Sequence, residues 1–451
     1  MPTVAVIGAG FSGLLTAIHV LRSDSCVRVR LFERSSQFGR GRAYSTANPH
    51  HLLNVRAENM SAFPNQPDHF KAWLREKGLD GSDGDFVSRG RYGDYLQDEL
   101  TDALTQSGLG RLNLEVAQVV SLVPAKDGRW TLESAKGDLF VADAVVLAVG
   151  LLAPKAIPGA TQKLLGARSI YFNDPWTVDL AGAPEGEVLV VGSGLTMIDV
   201  ALSLTRQGRR VIAISRRGLL PRSHAPTGSH ATSLPLAALS SPLRALVALR
   251  WQARKTGWRE TVDGVRPLTG QVWRAWPLDQ KKRFLRHLRP WWDVHRHRMA
   301  PPIAEEVDRL ISEGELTVIA GAILDLDIES DGAARLRYRA RGGSGLCERS
   351  FGAVVNCTGP DADLSRSHLL AGLLAQNVVR GDLLRLGLDV DDVCRPIGAG
   401  GIWPGLFVVG PLTRGAFWET VAVPDLRNQA NEVAHHILRF LGAARSARGA
   451  A

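Results

Sequence analysis

The sequence predicts an α/β fold of two parallel-sheet units, the second interrupted by a helical insertion. Two observations predict the pair of units. The order strand, Gly-rich turn, helix, strand occurs at Val4–Arg34 and again at Glu187–Arg217. Each copy is followed by a helical stretch, a run of short alternating segments and a wholly apolar strand that ends in a small-residue turn. Strands that alternate with helices in this way imply parallel sheets. The third observation concerns residues 219–300, which hold 15 Lys and Arg against 4 Asp and Glu, and six of the eleven Trp. That segment breaks the repeat and reads as an insertion.

In the first unit, Val4–Ile7 is an apolar strand, Leu14–Leu21 a helix and Val27–Phe32 a second strand that ends at Glu33. Tyr92–Gln106 follows with helical spacing of Tyr95, Leu96, Leu100, Ala103 and Leu104. Alternating runs at Leu112–Val123, Trp130–Ser134 and Leu139–Val141 lead to the buried-type strand Ala144–Ala148 and to Gly150. In the second unit, Ile303–Ser312 is the helix. Leu316–Ile319, Ile323–Ile328 and Arg335–Ala340 are its short runs, and Ala353–Asn356 leads into Cys357-Thr358-Gly359. In the insertion, Pro242–Thr256 and Asp279–Arg298 read as helices. At the end of the chain, Leu406–Val409 is a strand that should return to the first sheet, and Pro424–Leu441 a helix, with Pro at a favoured first position. Residues 443–451 read as a frayed tail. The expected division is 1–160 with 395–451 as the first domain, 161–394 as the second, and 219–300 as a substrate region within the second.

The first turn, Gly8-Ala9-Gly10-Phe11-Ser12-Gly13, has the spacing GxGxxG between a strand and a helix. Gly8 permits the tight turn, Gly10 lets backbone approach a pyrophosphate, and Gly13 lets helix and strand pack closely. The helix N-terminus offers free N–H groups to phosphate. Glu33, 20 residues after Gly13, stands where a carboxylate accepts from ribose hydroxyls. The pattern therefore predicts a Rossmann-type dinucleotide site. The second turn, Gly192-Ser193-Gly194-Leu195-Thr196-Met197, has Met in place of the third Gly. Its second strand ends at Ser215, where an acid would stand, and Arg216 and Arg217 follow. Loss of the acid removes repulsion of a 2′-phosphate, and Arg pairs with it bidentately, so NADP(H) is expected here over NAD(H).

Composition narrows the classes. With 451 residues, 45% hydrophobic and 22% charged, the chain has ample core and is not bulk-disordered. No apolar run approaches the roughly 20 residues of a membrane span. The first strand-like run starts at Val4, which leaves no room for a leader, so the cytoplasm is the expected compartment. Cys26, Cys347, Cys357 and Cys394 are far apart and form no CxxC, which argues against a zinc ribbon, a disulfide framework and a redox dithiol. No HExxH pattern occurs, and no metal is expected. The net charge of +9 is confined to the insertion, where the balance is +11, against −2 elsewhere. Such a segment attracts anions, but no nucleic-acid motif accompanies it, so neither nucleic acid nor membrane is the expected partner. Its Arg and Trp suit a small anionic or aromatic substrate. No motif speaks to the oligomeric state.

Two such units and the closing run Gly405-Leu406-Phe407-Val408-Val409-Gly410 resemble the two-dinucleotide-binding-domain flavoproteins of glutathione-reductase type. In that superfamily the first unit binds FAD and the second NAD(P)H. The absence of a CxxxxC pair separates this chain from the dithiol reductase branch. Longer runs carry a closer resemblance. These are Gly39–Ser45, His51–Met60, Ser215–Pro221 and Phe417–Asp425. They resemble bacterial FAD-NAD(P)-binding proteins related to class B flavin monooxygenases and N-hydroxylases. The Baeyer–Villiger fingerprint FxGxxxHxxxWP is not found; Gly166–Tyr171, the nearest place, lacks its His.

The resemblance implies that FAD is held by Gly8, Gly10, Phe11, Ser12 and Gly13, by Glu33 and Arg34, and by Gly41, Arg42, Ala43 and Tyr44. It extends this set to Asn54, Met60, Val119 and Gly150, and at the C-terminal end to Gly410, Trp418, Thr420, Val423 and Pro424. NADPH then falls to Gly192, Gly194, Thr196, Arg216 and Arg217. Asn54 resembles the Asn beside the flavin ring in class B monooxygenases, although a loop Asn also commonly caps a turn. His224 and His230 are the titratable groups best placed to serve as base or hydrogen-bond partner, and His224 joins Asn54 as a catalytic candidate. The helix beginning near Pro424 can present its N-terminus to negative charge on reduced flavin. The expected activity is NADPH-dependent oxygenation of a small molecule through a C4a-(hydro)peroxyflavin, with nitrogen as the first acceptor considered. The alternatives are a dehydrogenase, oxidase or reductase without oxygen insertion, and a nucleotide-sensing module.

Overall fold

A computed structural model of the chain describes residues 1–79, 86–178, 180–225 and 232–449. The first unit opens with β1 (Thr3–Ile7), α1 (Phe11–Ser23) and β2 (Arg28–Glu33), then runs through α2 (Arg89–Gln106) to β3 (Leu112–Val116). An antiparallel meander follows, of β4 (Val119–Pro124), β5 (Trp130–Ser134) and β6 (Leu139–Ala142), before the chain returns in β7 (Ala144–Leu147). The second unit comprises β8 (Tyr171–Phe172), β9 (Val188–Val191), α3 (Leu195–Thr205) and β10 (Val211–Ser215). After the insertion it resumes with β11 (Leu316–Ile328), β12 (Ala334–Ala340), β13 (Leu346–Phe351) and β14 (Ala353–Asn356). The chain ends with α4 (His368–Ala375), β15 (Leu406–Val408) and α5 (Val423–Gly449).

The first sheet has the order β15-β7-β1-β2-β3 and is parallel throughout. Both its faces are covered, which is why β1 and β7 read as unbroken apolar runs rather than alternating ones. α1 and α5 pack on one face, through Leu14, Leu15 and Ile18 against Ala430, Val433 and Ile437. The meander and α4 cover the other, with Trp130, Leu132, Leu369 and Leu370. The second sheet has the order β13-β12-β11-β10-β9-β14-β8. Two sheets, each led by a glycine turn, are as expected, but the second is mixed, parallel from β8 to the start of β11 and antiparallel through β11, β12 and β13.

Four expectations need correction. Leu112–Val123 is two strands, because the chain leaves the parallel sheet after Val116 and joins the meander at Val119. Leu316–Ile328 is one strand, not two; its first part pairs with β10 in parallel and its second part with β12 antiparallel, with a register shift at Ile323/Asp325. A bulge lets one strand serve both pairings. The stretch 361–394, expected with the second unit, packs on the first: Leu364, Leu373, Val378 and Leu388 are buried beside Ile7, Val145 and Leu147. Residues 443–449, expected to fray, continue helix α5.

In the insertion, Pro242–Thr256 is helical as expected, with Ser241 accepting from the Arg244 N–H at its start. Leu278–Arg296 is helical through a single wide turn at Phe284–Leu288, and two short helices, Trp258–Val265 and Thr269–Ala275, precede it. The insertion leaves and rejoins the second unit through paired backbone at Arg222–His224 and Met299. Its apolar core is completed by Trp418 of the returning C-terminal segment, so it packs against the first unit.

Candidate active site

Each glycine turn presents a helix N-terminus with no side-chain cap. Gly10 precedes α1 and Gly194 precedes α3, both with extended backbone and no capping side chain. The free N–H groups of the first helical turns therefore have no partner within the helix, and with the helix dipole they favour an anion. The glycines are required on steric grounds. Gly8 has φ +101°, and a Cβ there would strike the Ala148 carbonyl. A Cβ on Gly13 would strike the Gly8 carbonyl. Gly192 repeats the arrangement at φ +121° against the Cys357 carbonyl. A Cβ on Gly10 or Gly194 would meet little or nothing, so these two face open space where a pyrophosphate backbone can approach. These cradles fit the two dinucleotides the sequence calls for.

Around the first turn, the Glu33 carboxylate accepts from the Ala9 N–H at 3.0 Å and from the Arg34 N–H at 3.0 Å, which fixes it at the tip of β2. Gly41 begins a single helical turn, Gly41–Tyr44, that lies against Gly10. Arg34 and Ala43 are exposed. Gly150, at φ +70°, faces open space. Gly410, at φ +85°, sits against Ser12, its N–H held by Gln429 Oε1 at 2.7 Å, so the end of β15 closes on the start of α1. The Thr413 hydroxyl donates to Thr420 at 3.2 Å. Val423, Pro424 and Asp425 form the first turn of α5.

Several side chains named for FAD have partners within the protein. Tyr44 packs edge-on against Tyr92 at 4.7 Å, and burial pushes its hydroxyl up to about 12. Met60 and Val119 are buried in the first unit's cores. Arg42 pairs with Asp174 at 3.1 Å, at the entry to the second unit. The Trp418 indole stacks on Trp273 at 4.6 Å inside the insertion's core. The sequence could not separate the two cases, because an aromatic next to a site and one in a core look alike in one dimension.

Around the second turn, Ser215 does structural work in the acid's place. Its hydroxyl accepts from Ser193 at 2.8 Å and from the Gly218 N–H at 3.0 Å. Arg216 is exposed and Arg217 half-buried, and neither shows an ion pair with a described residue. Thr196 lies in the first turn of α3.

The two catalytic candidates, Asn54 and His224, are 170 residues apart in sequence and meet in the structure. His224 Nε2 lies 3.1 Å from the Asn54 carbonyl oxygen. Burial, with Arg298 and Arg56 nearby, lowers the imidazole to about 4, so it is neutral and donates through Nε2. Of the two roles expected for His224, base or hydrogen-bond partner, this contact is the second. Arg56 Nη2 donates to the Ala225 carbonyl at 2.6 Å in the same seam. His230 lies outside the described residues.

Several of the insertion's Trp and Arg do structural work, while Trp251 and Trp291 are exposed. Trp273 donates to the Gly415 carbonyl at 2.9 Å, Trp276 to the Leu239 carbonyl at 2.8 Å and Trp292 to Glu419 Oε1 at 2.9 Å. Arg298 clasps Asp263 with two bonds, at 2.7 and 3.1 Å, and Arg296 pairs with buried Glu419 at 2.9 Å. The sequence reading missed the contacts of Arg89, Asp199 and Ser203. No local motif marks them, because each acts on a residue of the other unit.

Comparison with known proteins agrees with this geometry. Residues 5–152 match the FAD-NAD(P)-binding family. The chain is 26% identical over 234 residues to pentalenolactone D synthase of Streptomyces exfoliatus, covering 47% of this chain and 35% of that protein. It is 33% identical over 102 residues to a ferredoxin–NADP reductase of Paraburkholderia xenovorans, covering 22% and 28%. The matched stretches thus span about a third of those curated relatives. The ornithine N-hydroxylase of Kutzneria sp. 744 superposes with a TM-score of 0.66 at 17% identity, covering 97% of this chain and 99% of that one. The chain therefore has the fold of the two-domain flavoprotein monooxygenases.

Proposed function

We propose that this chain, an FAD-NAD(P)-binding α/β protein of two dinucleotide units, is an NADPH-dependent FAD monooxygenase acting on a small molecule at nitrogen. The observation that carries the reading is the pair of uncapped, glycine-led helices with opposite chemistry at their ribose ends: Glu33 at the first, Arg216 and Arg217 at the second. When bound, FAD accepts a hydride from NADPH and passes the electrons to dioxygen, one oxygen atom going to the substrate and the other leaving as water.

The protein's own groups bind and orient. The first-turn N–H groups of α1 and α3 hold the pyrophosphates. Glu33 accepts from the FAD ribose, and Arg216 meets the 2′-phosphate. The N-terminus of α5 favours negative charge on the reduced flavin ring. Asn54, held from behind by His224, offers its amide to the reacting atoms. Nitrogen as the acceptor is supported by the likeness to the ornithine N-hydroxylase, and the insertion's excess of Arg suits a substrate bearing an anionic group. A cytoplasmic setting belongs to this reading, on the spacing of the four cysteines, which form no CxxC pair.

The test is product mass. FAD-loaded protein is supplied with NADPH, oxygen and a panel of amines and amino acids. A product heavier by one oxygen atom, formed in step with NADPH loss, supports the reading. A second reading, electron transfer without oxygen insertion, is favoured by the match to the ferredoxin–NADP reductase. It predicts NADPH oxidation that depends on an external electron acceptor, with no oxygenated product from any member of the panel.

A further inference from the structure

The two units meet in a buried polar cluster that neither glycine motif announces. Asp199 lies in the second turn of α3, the helix whose N-terminus forms the second dinucleotide site. Its carboxylate pairs at 2.9 Å with Arg89, the first residue of α2 in the other unit, and both side chains are largely buried. Arg89 also donates from Nε to the Leu52 carbonyl at 3.2 Å, and its backbone N–H donates to the His51 carbonyl at 2.8 Å. His51 reaches back across the same boundary. Its Nε2 lies 3.0 Å from Ser203 Oγ and 3.2 Å from the Asp199 carbonyl oxygen, both on α3. The Thr46 hydroxyl, 2.9 Å from Nδ1, holds the other side of the ring. Trp176 closes the cluster, edge-on to His51 and beneath the Arg89 guanidinium.

These contacts bear on a problem that the glycine turns leave open. Each turn fixes a dinucleotide within its own unit, but nothing in either turn fixes one unit to the other. Hydride transfer requires the reacting atoms within about 3–3.5 Å, and an error of about 1 Å can cost about a hundredfold. His51 lies three residues before Asn54 in one loop, so the group that grips α3 and the group that would face the flavin share one short stretch of backbone.

We propose that His51, Arg89 and Asp199 are positioning residues that hold the NADPH-binding helix α3 at a set distance from Asn54 and the first dinucleotide site. The proposal rests on the two-cofactor reading above. Removing one partner of the Arg89–Asp199 pair leaves a buried charge uncompensated, and the seam between the units should loosen.

The experiment uses the full chain loaded with FAD, as wild type, Asp199→Ala, Asp199→Asn and His51→Ala. Three quantities are read: the anaerobic rate at which NADPH bleaches the flavin, the NADPH dissociation constant, and backbone deuterium uptake. Asp199→Ala and His51→Ala should each slow bleaching by about tenfold or more, with the dissociation constant within about threefold. Uptake should rise in 46–56 and 195–205 and stay at the wild-type level elsewhere. Asp199→Asn, which still accepts from Arg89, should recover part of the rate. Wild-type rate and uptake in both Ala variants would overturn the proposal, as would uptake raised evenly over the whole chain. Should NADPH fail to bleach even the wild type, the two-cofactor reading falls, and uptake confined to the two segments still decides for the seam.

Discussion

His224 donates from Nε2 to the backbone carbonyl of Asn54 across 3.1 Å, and this bond joins the insertion to the loop of the first unit that carries Asn54. An imidazole lowered to about 4 by burial and by Arg298 and Arg56 serves as a fixed donor, not as a proton carrier. His224→Ala should therefore lower the rate of substrate oxygenation by about tenfold while leaving the NADPH Michaelis constant within about twofold. The activity profile of the wild type should show no His224 titration between pH 6 and 8. A base-catalysed limb near pH 6.5 that disappears in the variant would contradict this assignment.

Nucleotide preference should follow Arg216. The side chain is exposed at the end of β10, where Ser215 leaves no carboxylate to oppose a 2′-phosphate. A charge-assisted contact is worth about 1.5–3 kcal/mol, so Arg216→Ala should raise the NADPH Michaelis constant by about 10- to 100-fold and leave the NADH value little changed. Steady-state kinetics with both nucleotides decides it; equal effects on the two would place the 2′-phosphate elsewhere.

Gly13→Ala should strip the flavin. The added methyl would meet the Gly8 carbonyl, so α1 must move away from β1 and carry its N-terminal N–H groups with it. An overpacked contact of this sort costs about 1–3 kcal/mol. The flavin-to-protein absorbance ratio after purification should drop sharply, while far-ultraviolet circular dichroism keeps the α/β signature. Full flavin content would show that the close packing is dispensable.

Stability should fall with acid in a window set by buried imidazoles. His19, His51 and His224 are each lowered to about 4, chiefly by burial, from an ordinary value of 6.5. The unfolded chain therefore takes up protons first as pH drops, and the stability these groups contribute in neutral form is lost between about pH 6.5 and 4. Each contributes at most about 3 kcal/mol by the size of its shift. Glu99 runs the other way. Burial raises it to about 7, so it favours folding below the ordinary carboxylate range and loses that contribution as pH rises toward 7. Urea unfolding at pH 5 and pH 7.5 tests both signs: His51→Gln should narrow the difference between the two pH values, and Glu99→Gln should be neutral or stabilising at pH 7.5.

The core of the insertion should be sensitive to Trp273. It is almost fully buried and stacks on Trp418, so Trp273→Ala should cost about 3–5 kcal/mol where the site cannot collapse. A thermal scan with and without FAD would show whether the loss extends to the Trp418 segment beside α5.

The sequence alone determined the two glycine turns, the parallel strands they lead and the residues, Glu33 and Ser215-Arg216-Arg217, that end their second strands. These are local properties. A φ near +100° at Gly8 and Gly192, an apolar run covered on both faces and a carboxylate or arginine at a strand tip are written within a few adjacent residues. Tertiary structure decided what packs against each side chain and how the units are joined. Whether Tyr44, Met60 or Trp418 lines a cofactor or fills a core depends on what packs against it from distant segments, as Trp273 does against Trp418. The pairing of Arg89 with Asp199, and of His224 with Asn54, depends on contacts that close loops of more than a hundred residues. Such contacts join segments far apart in the chain, and no periodicity within either unit encodes them.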